Sequence, residues 1–301
     1  MRSLYRLALC VFVAGLPSLA AAQTKTGVLV LAHGGQPQWN ERVLDVVRRV
    51  DQHQPAEVAF GMATRANIQS AVDKLTARGA TEIIAVPLFV SSHSSVITST
   101  EYLLGLRADA PADLAKFAKM DHGSHGPAED PHAAHRPVVD PASPVTTTAR
   151  IRMTSAFNRH PIIGAIAADR AKSISTAPAT EAVILVAHGP VPDDDNRKWL
   201  DDMAVLAEHV RKAAPFAAVE YMTVRDDAGP AIREAATKEL REKVEAQRAA
   251  GRRVLIVPHL MSFGGIEKGL LKRLEGLDYT ITTQALMPDD RIVEWVLASL
   301  R

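Results

Sequence analysis

Two stretches of the chain decide its fold, GVLVLAHG at residues 27–34 and AVILVAHG at residues 182–189. Each is an apolar run of strand length that ends in Ala-His-Gly. A continuous run of this kind is typical of a parallel strand buried on both faces. Its recurrence in the second half of the chain predicts an internal duplication.

The segments after each run repeat as well. An amphipathic helix follows, then a short strand, a second helix and a third strand that contains Val-Pro, at residues 83–89 and 254–260. The apolar stripes of the two first helices are Val43, Val46, Val47 and Val50 in one copy and Leu200, Met203, Ala204 and Ala207 in the other. Alternating β and α units predict two doubly wound α/β lobes with parallel sheets.

The segment between the copies has a different composition. Residues 109–149 contain six prolines with Gly, Ser and Thr between them, so we expect an insert or linker without helix or strand. The predicted organisation is a signal peptide at 1–22, a first lobe at 23–108, the insert at 109–149 and a second lobe at 150–301.

The first residues predict export. Arg2 and Arg6 precede an apolar run at residues 7–16, and small residues end at Ala22, after which we expect cleavage. Crossing a bilayer needs about 20 apolar residues, so no membrane span is expected after signal removal. The predicted location is periplasmic or secreted. Cys10 is the only cysteine and lies in this segment, so the mature chain would ligate metals through imidazole and carboxylate alone.

Bulk composition excludes some classes of protein. Of the 301 residues, 23% are charged, and the net charge of +1 gives no reason to expect a nucleic-acid partner. The sequence has no Gly-x-Ser-x-Gly elbow, no Walker loop and no glycine-rich dinucleotide fingerprint after its first strand.

The strongest candidates for chemistry are His33 and His188, each placed where a buried strand becomes a loop. Ligands of open α/β sheets bind in the crevice outside the carboxyl ends of the strands. The glycine after each histidine permits a sharp turn and leaves room for a ligand. A histidine that only hydrogen-bonds a nearby loop is the alternative.

His93 lies in the loop after the third strand, before a predicted helix. If the first and third strands are neighbours, His33 and His93 face each other across one crevice. Two imidazoles suit Zn, Co, Ni, Cu or Fe. We therefore predict that His33 and His93 form the catalytic metal site, with a solvated loop histidine as the alternative for His93.

The equivalent loop of the second copy has Gly264 where His93 stands. His188, His259 and Glu267 are the candidates for a second-lobe site, although His259 could equally be a strand residue packed in the core. The insert carries a short tract with His122, His125, His132 and His135. Such tracts often bind metal loosely, and a polar linker that happens to contain histidines is the alternative.

These motifs resemble the type II chelatases, the sirohydrochlorin cobaltochelatase and ferrochelatase enzymes of the CbiX type. The resemblance covers roughly residues 26–106 and residues 181 to the C-terminus. It implies two flavodoxin-like lobes around a tetrapyrrole-sized cleft. The implied enzyme is a lyase of tetrapyrrole or cobalamin biosynthesis that inserts Co²⁺ or Fe²⁺ into sirohydrochlorin or a related ring, with Ni²⁺ as a further candidate metal.

The resemblance also implies roles. The family histidine at the first strand end corresponds to His33 and its repeat to His188. Neutral imidazoles hold the metal above the ring, and a base accepts the two pyrrole protons as the metal enters.

The loop and the second strand depart from the family pattern. The family loop reads Gly-x-His, whereas His93 takes the glycine position and Ser95 the histidine position. The family glutamate after the second strand has no counterpart near residues 61–63 or 222–224. These departures, together with the predicted export, keep a second hypothesis open: a non-catalytic protein that binds or delivers metal on the same scaffold.

Overall fold

The structure is a computed structural model that describes residues 24–119 and 139–301. The predicted signal peptide lies outside the described residues, as do the four histidines of the tract between residues 122 and 135. Among the helices of the described part, none is both long and apolar enough to cross a membrane.

The first lobe is built on a four-stranded parallel sheet with the strand order β2-β1-β3-β4. Its elements are β1 Thr26–Ala32, α1 Pro37–Asp51, β2 Ala56–Phe60, α2 Arg65–Ala77, β3 Glu82–Pro87, α3 Ser95–Leu103, α4 Leu114–Ala118 and β4 Arg150–Met153.

The second lobe repeats this sheet, in the order β6-β5-β7-β8. Its elements are α5 Pro161–Ile174, β5 Glu181–Ala187, α6 Asp193–Ala213, β6 Ala218–Thr223, α7 Pro230–Ala249, β7 Arg253–His259, α8 Ile266–Arg273, β8 Thr280–Ile281 and α9 Arg291–Ala298. The predicted fold class, two parallel α/β lobes with one repeated plan, is confirmed.

Both central strands are buried on both faces, as their apolar runs predict. In β1, Val28 and Val30 pack into the core under α1, whereas Leu29 and Leu31 pack into the core under α2. Successive side chains of a strand point to opposite faces, so one uninterrupted apolar run supplies two helix layers. The histidine that ends each run therefore follows a rigid strand.

The predicted boundaries of the insert and the second lobe are wrong at two points. Within residues 109–149, where we expected neither helix nor strand, α4 places Leu114 and Phe117 in the first-lobe core. Arg150–Met153, assigned from sequence to the second lobe, is the edge strand of the first sheet, paired in parallel with β3. Burial of a few apolar side chains overrides the local proline signal here.

The C-terminal helix also belongs with the first lobe. Ile292, Val293 and Val296 of α9 pack with the apolar stripe of α1. Trp295 meets Phe157 edge to face, with ring centroids 4.5 Å apart. The last helix of the chain, α9, thus joins the second lobe to the first by apolar packing.

Candidate functional site

In both sheets the strand order reverses at the strand that ends in the repeated Ala-His-Gly, which is β1 in the first sheet and β5 in the second. In the first sheet, β2 lies on one side of β1 and β3 lies on the other. In the second sheet, β6 and β7 flank β5 in the same way. Crevices form outside the carboxyl ends of strands at such a switch point. His33 and His188, which directly follow β1 and β5, lie at these two points.

The two imidazoles are held in the same way. The Nδ1 atom of His33 lies 2.7 Å from the carbonyl oxygen of Gly34, and Nδ1 of His188 lies 2.8 Å from that of Gly189. A carbonyl oxygen can only accept, so each Nδ1 carries the proton and donates. When the ring is neutral, Nε2 therefore has a free lone pair. Metal-binding histidines are commonly oriented by this kind of backbone contact.

Glycine is required after His188 for two reasons. Gly189 has a φ of +77°, and a Cβ placed there would lie 2.5 Å from Cβ of Thr223. Gly34 has a similar φ of +81° with more space around it. The left-handed turn sends the chain away from the strand and leaves the imidazole at the sheet edge.

The sequence did not single out a carboxylate that contacts His188. Asp227 Oδ2 lies 3.3 Å from Nε2 of His188. This contact lowers the pKa of Asp227, and the electrostatic effect of His33 and Lys116, from the first lobe, lowers it further. We call His33, Lys116, His188 and Asp227 the strand-end cluster.

The same contact changes the pKa of His188. Burial of the imidazole by itself would lower this pKa, but the polar contact with Asp227 and its negative charge raise it above the ordinary value of 6.5. The carboxylate of Asp227 thus stabilises the protonated form of His188 and makes its imidazole a stronger base.

The loop that carries Asp227 is fixed by its neighbours. Arg225, with a φ of +50°, donates to the carbonyl oxygen of Pro190 and pairs with Asp193 at 2.7 Å. Asp226 is paired with Arg273. These contacts tie the segment after β6 to the loop after His188, so Asp227 and His188 are presented together.

His93 makes its contacts with the second lobe. Its carbonyl oxygen accepts a hydrogen bond of 2.8 Å from Nε1 of Trp199, and its Nε2 lies 3.9 Å from Oδ2 of Asp202, both on α6. Ser94 caps α3 by accepting from the backbone N–H of Ile97. The side chain of His93 is 33% exposed, so solvent reaches it.

The two remaining second-lobe candidates, His259 and Glu267, are a buried strand residue and a helix cap. His259 is the last residue of β7, is 2% exposed, and lies in register with Ala187. Burial lowers its pKa to about 4. Glu267 accepts hydrogen bonds from the backbone N–H groups of Gly264 and Gly265 and so caps the start of α8. His259 is in the core, the second of the two alternatives that the sequence left open.

The predicted pairing of His33 with His93 stays a prediction. Their strands are neighbours, as that prediction requires. Within residues 24–119 and 139–301, no group of three or more His, Cys, Asp or Glu side chains is arranged to hold a metal ion. His93 contacts Asp202 of the second lobe, whereas His33 acts on Asp227 only through electrostatics.

Sequence reasoning missed Asp227, Asp202 and Trp199. Asp227 could have been found as one of two adjacent acids just after the second strand of the second copy. Asp202 interrupts the apolar stripe of α6 beside Met203, which is an unusual place for a carboxylate. The indole contact of Trp199 depends on how the lobes meet, and no local pattern signals it.

The fold and the cluster thus define a two-lobed α/β protein with an oriented imidazole at the switch point of each sheet. Comparison with known proteins agrees. The CbiX family model matches residues 27–174. A sirohydrochlorin cobaltochelatase of Methanothermobacter thermautotrophicus is 31% identical over 86 residues, which are 27% of this chain and 59% of that protein. The chain is therefore similar to the type II, or CbiX-type, chelatases over residues 27–174, just under half of its length.

Solved structures share the two-lobed fold. SirB from Bacillus subtilis, solved with Fe³⁺, matches with a TM-score of 0.60 and 16% identity, covering 92% of this chain and 95% of that one. DR2241 from Deinococcus radiodurans, a multi-domain protein with structural similarity to chelatases, matches with a TM-score of 0.51 and 18% identity over 92% of this chain and 54% of its own.

Proposed function

We propose that this protein inserts a divalent metal ion, Co²⁺ or Fe²⁺, into a sirohydrochlorin-type tetrapyrrole. The observation that carries the proposal is the orientation of His33. Its Nδ1 donates to the carbonyl oxygen of Gly34, so the exposed Nε2 offers a lone pair at the switch point of the sheet. The match to the CbiX family model and the similarity to the cobaltochelatase support this choice of reaction.

The incoming metal is a substrate that must be held and then released. We assign His33 and His93 as its ligands in the first lobe. Two imidazoles bind Co²⁺, Fe²⁺ or Ni²⁺ and leave coordination positions open. Those open positions are what ring nitrogens need in order to replace the protein ligands one by one.

Metal insertion releases two protons from the pyrrole nitrogens for each metal that enters. The His188–Asp227 pair supplies an acceptor on the opposite lobe. A base with a pKa near the working pH is the most effective proton acceptor, and Asp227 stabilises the imidazolium that forms. The neutral form of His188 takes a proton and passes it to solvent past Asp227, whose side chain is 71% exposed.

A metal-binding or metal-delivery function without catalysis is the second candidate. Met62 and the residues around it supply no carboxylate after β2 in the first lobe, and no three-ligand group exists in the described part of the chain. The predicted export also fits this candidate. So does a role for the tract at residues 122–135 as a loose metal binder.

The ring spectrum distinguishes the two functions. Metal-free sirohydrochlorin is mixed with the full chain and with Co²⁺, Ni²⁺ or, under anaerobic conditions, Fe²⁺, and absorption is followed against a sample without protein. A chelatase converts many rings per chain, His33→Ala abolishes the rate, and His53→Ala, an exposed histidine outside the cluster, keeps it. Metal binding with an unchanged ring spectrum would establish the carrier instead.

A further inference from the structure

Asp202 is a buried carboxylate in an unexpected place. It lies in the middle of α6 with only 3% of its surface exposed. Nε of Arg159 lies 2.8 Å from Oδ1, whereas Oδ2 has no hydrogen-bond partner among the described residues. Burying a carboxylate with one oxygen unpartnered is costly, so an apolar residue would stabilise the helix better at this position.

The carboxylate faces the histidine of the other lobe. Oδ2 of Asp202 lies 3.9 Å from Nε2 of His93. Trp199 precedes Asp202 by three residues, so both side chains project from the same face of α6. Its indole N–H donates to the carbonyl oxygen of His93. One helix of the second lobe therefore contacts both the backbone and the imidazole of one first-lobe residue.

The reciprocal contact differs in its carboxylate. Asp45, at the position in α1 that Asp202 has in α6, is 54% exposed and pairs with Arg48 and Arg49 of its own helix. Arg42 stands before the apolar stripe of α1 as Trp199 does in α6, and its Nη1 donates to Oγ of Ser262 in the second-lobe loop. Trp39 packs against Gly264, which replaces the histidine. The lobes thus exchange similar contacts, and a buried carboxylate occurs where the loop carries an imidazole.

We propose that Asp202 is a positioning residue that orients the imidazole of His93 for metal, so that the first-lobe site is completed from the second lobe. The inference rests on the proposed role of His93 as a ligand. Asp202 accepts from Nε2–H when the loop closes the remaining distance, and Nδ1 is then the ligand atom. Ligating histidines commonly donate their other ring N–H to a carboxylate in this way.

The orientation sets His93 apart from the strand-end histidines. Nδ1 of His33 and of His188 contacts a carbonyl oxygen; Nε2 of His33 is therefore the nitrogen available to a metal, and Nε2 of His188 faces Asp227. His93 would offer Nδ1. The two tautomers give different long-range ¹H–¹⁵N correlation patterns. NMR can therefore identify the His93 tautomer without an activity assay.

The test compares Asp202→Leu, Asp202→Asn, Arg159→Gln and His93→Ala in the full chain. Asp202→Leu should weaken Co²⁺ binding by about 10- to 100-fold and shift the visible absorption of bound Co²⁺. Asp202→Asn keeps an acceptor and should recover part of the affinity. Arg159→Gln should leave the affinity unchanged, because it removes only the charge partner.

Two results would overturn the inference. The first is a neutral His93 ring that has the same tautomer in the native chain and in Asp202→Leu. The second is a fall in Co²⁺ affinity of the same size in Arg159→Gln and Asp202→Leu, which would make Asp202 a structural ion-pair partner. Failure of the proposed function is separate: the ring spectrum would then stay unchanged, while Co²⁺ affinity and the His93 tautomer would still respond to Asp202→Leu. Normal Co²⁺ binding in His93→Ala would remove the ligand assignment on which the inference rests.

Discussion

The indole Nε1 of Trp199 lies 2.8 Å from the carbonyl oxygen of His93, and this hydrogen bond joins α6 of the second lobe to the loop after β3 of the first. Arg42 of α1 makes the reciprocal contact with Ser262 in the second-lobe loop. Each lobe therefore holds the loop of the other at the edge where its strand-end histidine lies. These two hydrogen bonds join the lobes at the edge where the candidate ligands lie.

Removal of the indole N–H should weaken this joint. Trp199→Phe leaves the His93 carbonyl without its donor and should lower the free energy of unfolding by about 1 kcal/mol. It should also weaken Co²⁺ binding, because the loop loses a fixed point. Urea unfolding and calorimetry measure both effects. Trp39→Phe is the control, since Trp39 packs on the opposite loop; an equal loss of Co²⁺ affinity in both variants would contradict the prediction.

The turn after His188 should not tolerate a side chain. Gly189→Ala combines a φ of +77° with a Cβ 2.5 Å from Thr223, so we expect a loss of roughly 2–4 kcal/mol in urea unfolding. Gly251 has a φ of +72° and no atom within 4 Å of the added Cβ. Gly251→Ala should therefore cost about 1 kcal/mol. Equal losses would mean that the contact with Thr223 is not tight.

The His188–Asp227 pair should make stability depend on pH. The pKa of His188 is raised above 6.5 in the folded state, so the pair's contribution is fully present below pH 6.5 and lost as the pH rises through the folded pKa. Protonation of Asp227, whose pKa is lowered from 3.8, removes it in acid. The contribution should stay below about 1 kcal/mol, because Asp227 is 71% exposed.

Comparison of the native chain with Asp227→Asn isolates the contribution of the His188–Asp227 pair to the unfolding free energy. The difference in unfolding free energy should be largest near pH 5–6 and should shrink by pH 9. In NMR titrations, His188 should titrate at a lower pH in Asp227→Asn than in the native chain. A His188 titration that is identical in both would show that the carboxylate does not act on the ring.

Burial of His259 should produce an acid-sensitive core. Its pKa falls from 6.5 to about 4 on folding, so between pH 6.5 and pH 4 the unfolded chain binds more protons than the folded chain. The protein therefore loses stability as the pH is lowered through this range. At 1.36 kcal/mol per unit, the loss between pH 7 and pH 4 is about 3 kcal/mol. His259→Leu should flatten this slope and leave Co²⁺ binding at pH 7.5 unchanged. Weaker Co²⁺ binding would return His259 to the list of ligands.

Much of the fold could be predicted from the sequence, because the runs that end at Ala32 and Ala187 are long, apolar and repeated. Helical stripes such as Val43 to Val50 then fix the layers. The placement of β4 and α9 could not be predicted. Arg150–Met153 is a short strand after a proline-rich segment, and its partner β3 is more than 60 residues away. Only tertiary packing decides which sheet receives it.

The candidate site divides in the same way. His33 and His188 follow from the rule that ligands bind at strand ends, because the strand and the histidine are adjacent in sequence. Asp227 and Asp202 are brought to their histidines by loop geometry and lobe contact, which leave no periodic signal. His259 is the last residue of its strand, whereas His33 follows its strand. The sequence left both positions open for His259 because a shift of a single position along a strand decides between core and crevice.

A calorimetric Co²⁺ titration of three full-length chains decides where the metal binds: native, His33→Ala, and a variant with His122, His125, His132 and His135 all replaced by alanine. We predict tight binding in the native chain that is lost in His33→Ala and retained in the fourfold variant. Binding that survives His33→Ala and disappears in the fourfold variant would contradict the assignment of the metal to the strand ends.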